Sequence, residues 1–556
     1  MNAQLDVDIY SREPAAPRLQ VTAPPVERAD EVLTPLALQL LASLHRRFDA
    51  RRRELLAARE ARQAELDDGA LPDFLAGTAA WAAPECQAAG GNGVLTAQGR
   101  WRIAAVPPDL LDRRVEILAA PERQTVIESL NAAVQVYIAD FEDGCSPTWG
   151  NLVRGQVNLL DAVRGTITFA DRSNGRILRL SGRPTTLIVR VRGWHLPEKH
   201  VRYDGEPVSA SLFDFALYVA NNSELLARRG TAPYFYLPKI ESHHEARLWN
   251  EVLNAAEEAL GLARGTIKVT VLIENVLATF EMDEILFELR EHCVGLNCGR
   301  WDYLFSFIRK FRNWPDWLMP DRHQVTMERT FLRSYVDLLV KTCHQRGAYA
   351  IGGVAPQVPP RGPAAGREWL LAQVRADKLR EARAGHDGTG ITHSGLAHTA
   401  RAAFDAVFVT PDQTNNLRAD VQVSPAELLQ PPSGELTEAG LRGCIRVGVQ
   451  YLEAWLRGYG SVQLDQLTED TAAAEISRAQ LWQCIRHEAR TSDGQPVTEA
   501  RFDRLLSEEL DGIHRELGAA RLAEGVFPTA ARLFAGLVKQ SEFEDFLTVS
   551  AYEHLT

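Results

Sequence analysis

The apolar residues of this chain fall into three successive patterns. Over residues 34–67 they recur at helical spacing, with Thr34-Pro35 as a start signal. From residue 114 onward, short apolar, β-branched runs are each followed by a longer helical stretch. The runs are 114–119, 134–143, 186–192, 234–241, 267–274, 294–303 and 348–357, with 385–392 as an eighth candidate. Near-continuous apolar strands alternating with helices predict a parallel sheet, and this many units suit a closed (β/α)₈ barrel better than an open sheet. Beyond residue 410 the pattern is helical again. A helix over 437–457 ends at Gly458, and 470–487 forms a second. The Pro-rich stretch 422–434 marks a boundary. Residues 1–30 read as extended or poorly ordered, and 83–100 as a loop.

Composition narrows the function classes. The 556 residues are 45% hydrophobic and carry a formal net charge of −12, which opposes general binding to nucleic acid. No stretch approaches the 18 apolar residues of a spanning helix. The first residues lack the apolar core of a secretory signal, and the last three are not a Ser-Lys-Leu address. A cytoplasmic protein is expected. Seven scattered cysteines (86, 145, 293, 298, 343, 444, 484) have no zinc-like spacing and read as reduced, mostly buried thiols. His243-His244 and His386/His393 have no supporting ligands and read as solvated or structural.

Five predicted strands end in ionisable groups: Glu142/Asp143, Arg190, Glu241, Glu274 and Asp302. In a (β/α)₈ barrel the C-terminal strand ends form the catalytic rim, so these side chains are expected to converge. Helix caps and rim ion pairs account for any one of them, but poorly for all five. Glu274 and Asp302, read as ends of neighbouring strands, suit Mg²⁺, which takes one or two carboxylates and fills its octahedron with water and substrate. A pair of structural acids has the same signature. Arg190 fits a fixed cation facing a carboxylate or a developing oxyanion, and equally a rim ion pair.

Longer motifs carry a resemblance. Asp140-Phe-Glu-Asp-Gly-Cys-Ser-Pro-Thr-Trp149, Arg192-Gly-Trp-His-Leu-Pro-Glu-Lys-His200, Tyr234-Phe-Tyr-Leu-Pro-Lys239 and Leu296-Asn-Cys-Gly-Arg-Trp-Asp-Tyr303 are four of them. Gly385-His-Asp-Gly-Thr389 and Glu469-Asp470 with Ala474-Glu-Ile-Ser-Arg478 extend the run. The chain resembles the malate synthase family, A type. The resemblance implies a TIM barrel (106–420) with an N-terminal helical clasp (1–105) and a C-terminal helical domain (421–556) closing over its mouth. It implies condensation of acetyl-CoA with glyoxylate to malate, with Mg²⁺ on Glu274 and Asp302. Arg190 would stabilise an enolate, and Asp470 would be the base. The backbone around Gly299, Arg300, Trp301 and Asp302 would hold the glyoxylate carboxylate. Glu142 and Asp143 are expected behind these, ordering metal-bound water or Arg190, or forming a plain ion pair. Asp470 is expected near a helix start, where the dipole weakens a base and burial strengthens it.

The chain departs from the family where the acyl-CoA arm is expected to pass. Gly390 stands for a tryptophan, Val354 and Thr468 for methionines, Val191 and Ser394 for prolines. Loss of bulk at 390, 354 and 468 is expected to widen or re-polarise that wall, unless packing compensates. Two alternatives follow: a bulkier acyl thioester or another 2-oxo acid with the same chemistry, or a non-catalytic CoA-binding relative. The oligomeric state is not legible.

Overall fold

The computed structural model describes residues 19–76, 101–172, 175–182, 185–360 and 364–555. Cys86 and the expected loop 83–100 lie outside the described residues. Eight parallel strands close into a barrel: β1 Val115–Ala119, β2 Val136–Asp140, β3 Thr186–Arg190, β4 Tyr234–Leu237, β5 Lys268–Ile273, β6 Cys293–Cys298, β7 Tyr349–Ala355 and β8 Gly388–Ile391. They neighbour one another in chain order, and β8 pairs back onto β1. Every expected run contains a strand, the eighth included.

Most strands are shorter than their apolar runs, because the runs continue into the rim. The run 134–143 leaves the sheet after Asp140 and turns over Phe141–Gly144. The run 294–303 stops at Cys298, and Asp302 lies in the first turn of a helix rather than on a strand. The register sets Asp140 beside Arg190 and Ile273 beside Cys298, so the two halves of the rim face a common mouth.

The N-terminal helix α1 (Pro35–Asp67) starts where Thr34 caps Ala37 N–H and Pro35 supplies a fixed φ. Leu40, Leu41, Leu44 and Phe48 are buried in the same core as the barrel and its outer helices α2 (Ala210–Arg228) and α3 (His243–Leu260). Its polar face reaches the rim loops. Arg52 donates to Trp194 O at 2.8 Å, Arg59 to Lys239 O at 2.7 Å and Gln63 to Lys310 O at 3.0 Å. Ahead of this helix, Leu19–Val21 pairs antiparallel with Pro197–Tyr203, so this part of 1–30 is an ordered strand.

β6 is followed by α4 (Arg300–Lys310). The C-terminal region packs α5 (Glu438–Leu456), α6 (Thr471–Arg486), α7 (Glu499–Glu524) and α8 (Phe527–Lys539) around their own apolar core. It docks on the mouth. Ser146 Oγ donates to Trp455 O at 2.7 Å, and Asn151 Nδ2 to Gly458 O at 2.7 Å. Gly460 lies directly on the Asp143–Cys145 turn, where a Cβ would come within 2.1 Å of Gly144 O. All six described cysteines are buried and free. Among the described residues no helix is long and apolar enough to cross a membrane.

The barrel interior mixes Val136, Ile138, Ile188 and Leu272 with one buried polar network. Arg113 donates to Glu116 at 2.6 Å, to Thr270 Oγ1 at 2.8 Å and to Tyr236 Oη at 2.8 Å. Tyr236 closes the ring by donating to Glu116 at 2.5 Å. Removing one partner of a buried ion pair leaves the other charge uncompensated. Arg113→Met is therefore expected to cost about 3–5 kcal/mol of stability in urea unfolding, and Arg113→Met with Glu116→Gln to recover part of it. A loss below about 1 kcal/mol, the range of an exposed pair, would refute the importance of this network.

Candidate active site

Glu274 follows β5 directly and is 2% exposed. Its Oε1 accepts the Lys239 N–H at 2.6 Å, while Oε2 is buried with no hydrogen-bond partner. The chain approaches this carboxylate closely from the next unit. A Cβ at Gly299 would meet Glu274 Cβ at 2.6 Å and Oε2 at 3.0 Å, so only glycine lets the start of α4 come this near. The first intrahelical bond of α4 runs from Tyr303 N to Gly299 O. The N–H groups of Arg300, Trp301 and Asp302 lie ahead of it, at a helix end that favours an anion. Asp302 completes the pair, buried in that same first turn.

A buried ammonium joins these acids. Lys239 Nζ lies 2.7 Å from Asp302, 3.1 Å from Asp143, 3.8 Å from Glu274 and 4.0 Å from Glu142. Its backbone is left-handed, with φ of 56°, a conformation disfavoured for any residue with a Cβ. Two bonds hold it there: Lys239 N–H to Glu274, and the Arg59 guanidinium to Lys239 O. Burial disfavours the charged amine, but Asp143, Asp302, Glu274 and Glu142 overcome that and raise its pKa well above the usual lysine value.

Arg190 ends β3 and is 5% exposed. Asp140 grips it with two bonds of 2.6 Å, Nε to Oδ1 and Nη2 to Oδ2, and Asp143 lies 3.0 Å from Nη2. Nη1 takes no part in these bonds. The same Asp140 carboxylate accepts the Glu142 N–H at 2.9 Å and the Gly144 N–H at 2.7 Å, which shapes the turn carrying Glu142 and Asp143. Glu142 accepts the Gly193 N–H at 2.7 Å. Burial pushes its pKa up to about 8, whereas Lys239 and Arg190 overcome burial at Asp143 and hold its pKa below the ordinary value.

Asp470 is the N-cap of α6, accepting the Ala473 N–H at 3.4 Å. The next residue, Thr471, donates from Oγ1 to Asp143 O at 3.3 Å, which seats the helix start on the rim. Desolvation, then the charges of Asp143 and Asp302, raise the Asp470 pKa to about 8.

The structure thus gathers Glu142, Asp143, Arg190, Glu274, Asp302 and Asp470 at one mouth. It does not bring Glu241 there. That carboxylate is taken by Arg309 and by Lys310 at 2.7 Å, with Arg59 at 3.7 Å, in a junction between α1, α4 and the barrel. His243 pairs with Glu281 at 2.6 Å, His386 is buried, and His393 caps Gly395 N–H at 3.0 Å, all structural. Asp140 and Lys239 went unread as site residues, although both stand in the quoted motifs at strand ends.

At Gly390 a Cβ would meet Val354 Cγ2 at 2.7 Å, since the two residues are paired across β7 and β8. Thr468 N–H donates to Pro356 O at 2.8 Å, and its hydroxyl lies 3.4 Å from Thr392 Oγ1.

Six carboxyl groups (Asp140, Glu142, Asp143, Glu274, Asp302, Asp470) share this mouth with two cations, Arg190 and Lys239. That surplus, and the orphaned Oε2 of Glu274, fit a divalent cation held by Glu274 and Asp302. Among the described residues no three His, Cys, Asp or Glu side chains are grouped to enclose an ion. Two carboxylates with open positions are what a hard cation shared with substrate requires.

Comparison with known proteins gives the same picture. Residues 18–80, 186–431 and 435–555 match the N-terminal, TIM barrel and C-terminal domain families of malate synthase. A malate synthase of Myxococcus xanthus is 50% identical over 525 residues, 94% of each chain. Malate synthase A of Escherichia coli is 47% identical over 539 residues, covering 97% of this chain and 98% of that one. A glyoxysomal malate synthase of Brassica napus is 44% identical over 94% of this chain and 92% of its own. The chain belongs to the malate synthase family.

Proposed function

We propose that this protein is a malate synthase that condenses acetyl-CoA with glyoxylate and hydrolyses the product thioester to malate and CoA. The observation that carries the assignment is a single mouth holding Glu274 and Asp302, Arg190, and a base-like Asp470 contributed by the C-terminal helices. Relatives that match end to end are malate synthases, and this supports acetyl-CoA and glyoxylate over a bulkier thioester or another oxo acid. With the catalytic set intact, a non-catalytic role finds no support.

Asp470 takes a proton from the acetyl methyl group. The C–H electron pair moves into the thioester, and negative charge develops on its carbonyl oxygen. Arg190, fixed by Asp140 and Asp143, presents the free edge of its guanidinium to that charge without reorganising. Mg²⁺ on Glu274 and Asp302 would chelate glyoxylate and polarise its aldehyde. The N–H groups at the start of α4, from Arg300 to Asp302, orient the glyoxylate carboxylate beside Glu274. The enolate carbon then attacks the aldehyde carbon, whose oxygen takes up a proton to become the malate hydroxyl. Water adds to the thioester carbonyl, the C–S bond breaks, and CoA leaves as its thiol while the new carboxylate forms. Lys239 keeps Asp143 and Asp302 together throughout.

Three outcomes test this reading. Asp470→Asn is expected to lower kcat by at least about 10²–10⁴-fold, the usual share of a general base, while leaving divalent-cation binding unchanged; full activity would overturn the assignment. The raised Asp470 pKa means its base form is lost as pH falls. The rate should therefore decline on acidification, with a midpoint well above the ordinary Asp value of about 4 and no higher than about 8. A rate that stays flat down to pH ~5 contradicts it. Burial raises the Glu274 pKa well above its usual value, the direction in which cation binding is expected to be linked to proton release. Calorimetry in buffers of different ionisation enthalpy should detect that release, and Glu274→Gln should weaken Mg²⁺ binding by more than the roughly 10–100-fold typical of an outer partner.

A further inference from the structure

The C-terminal region carries the base, yet the oxo-acid site belongs to the barrel. Their relative position must be right to within about 1 Å for proton transfer and carbon attack to succeed. Most contacts that dock the C-terminal region lie away from Asp470. Gln480 Nε2 donates to Met319 O and Pro320 O at 3.1 and 2.7 Å, Asp321 accepts from Thr437 N and Oγ1 at 3.0 and 2.6 Å, and Lys199 donates to Tyr552 O at 2.9 Å. These hold α5, α6 and the C-terminal segment at points remote from Asp470. Nearer to it, Thr471 Oγ1 reaches Asp143 O at 3.3 Å, and the strand that leads into Asp470 makes contacts of its own.

That strand belongs to a small hairpin, Val462–Leu464 with Leu467–Glu469. Its turn residues Asp465 and Gln466 have φ of 47° and 65°, positive values that favour glycine, so turn propensity alone does not fix it. On one side it is pinned to the β7 loop by Val358 N–H to Gln466 O at 2.7 Å and Thr468 N–H to Pro356 O at 2.8 Å. On the other, Glu469 accepts two bonds from Arg322, at 2.5 and 3.1 Å, across 147 residues of sequence. The Arg322 guanidinium also lies 5.3 Å from the centroid of the Trp301 ring, and Arg300 contacts the same ring at 4.5 Å. Trp301 immediately precedes Asp302, and Glu469 immediately precedes Asp470.

We propose that Arg322 is a positioning residue for the reaction: by holding Glu469 against Trp301 it registers the base on the C-terminal hairpin with the metal and oxo-acid turn of α4. A guanidinium suits this task because its planar fork takes the carboxylate bidentately while its face lies on the indole, which an ammonium cannot reproduce. Glu469 is buried and the Arg322 side chain is 21% exposed, so the pair is only partly open to the solvent screening that makes exposed ion pairs weak. Burial opposes the charge on Arg322, but the bonds to Glu469 outweigh it, and Asp470 adds a smaller favourable share. The inference rests on Asp470 being the base.

The test uses Arg322→Gln, Arg322→Lys, Glu469→Gln and the charge swap Arg322→Glu with Glu469→Arg in the full-length enzyme. Each single change is expected to lower kcat on the order of 10²-fold, the cost of a misplacement near 1 Å, with little change in glyoxylate KM or melting temperature. Arg322→Lys should fall short of wild type, and the swap should recover part of kcat. The deciding readout is the isotope effect on kcat with methyl-deuterated acetyl-CoA. It should rise in the variants, because proton removal becomes slower relative to the other steps. A fall in kcat that only tracks loss of folded protein, with an unchanged isotope effect, would reduce Arg322 to a structural contact and overturn the proposal. So would wild-type kcat in Arg322→Gln. Asp470→Asn is measured alongside. If it keeps activity, the base assignment fails; if it is inactive while Arg322→Gln is fully active, the positioning role alone fails.

Discussion

Six carboxyl groups crowded into one barrel mouth repel one another, and much of the surrounding structure exists to keep them there. Water would screen them, but the site is buried, so compensation has to come from fixed cations. Arg190 and Lys239 supply two charges, each held by more than one bond. Lys239 shows the cost most clearly, since its backbone sits in a left-handed conformation that a branch-free glycine would adopt more easily. Arg59 on the N-terminal helix and Glu274 on the barrel hold it there from opposite sides. The clasp is thus tied into the site and is not merely packed on the barrel's outside.

The same charge surplus bears on why Asp470, the proposed base, is carried by a separate set of helices. A carboxylate facing Asp143 and Asp302 is unstable as an anion, and for a base that instability is useful. Its pKa moves toward neutrality, which increases the driving force for taking a weakly acidic proton. The helix N-terminus at Asp470 acts in the opposite direction. Supplying the group from the start of α6, seated by Thr471 on Asp143 O, keeps this last like charge off the barrel strands themselves.

Fold and chemistry were legible in the sequence to different depths. The alternation of apolar runs with helical stretches located all eight strands, because buried parallel strands are apolar on both faces. Strand ends were overrun, as at Asp302, because Trp301 and Tyr303 in the helix start extend the series of large hydrophobic residues past the last strand residue, Cys298. Among the site residues, Glu274, Asp302 and Arg190 stood out as charges closing apolar runs. Glu241 stood out for the same reason and belongs elsewhere, since a charge at a strand end can face a neighbouring helix as readily as the mouth. Asp140 was hidden by the acids that follow it. The Arg322–Glu469 pair joins residues 147 apart and leaves no periodic trace.

The departures at Gly390 and Val354 show why residue-by-residue comparison misjudges a wall. Taken singly, each is a loss of bulk. In the barrel they are cross-strand partners, and Val354 Cγ2 occupies the place where a side chain at 390 would begin. A branched residue at 354 carries a second γ-carbon that an unbranched one lacks, so it fills the space left by glycine and also forbids anything larger there. The two positions therefore form one packing arrangement shared by β7 and β8. The departures are compatible with the proposed chemistry, because the residues proposed to bind the oxo acid and move the proton belong to β2, β3, the end of β5, α4 and the start of α6, outside that pair.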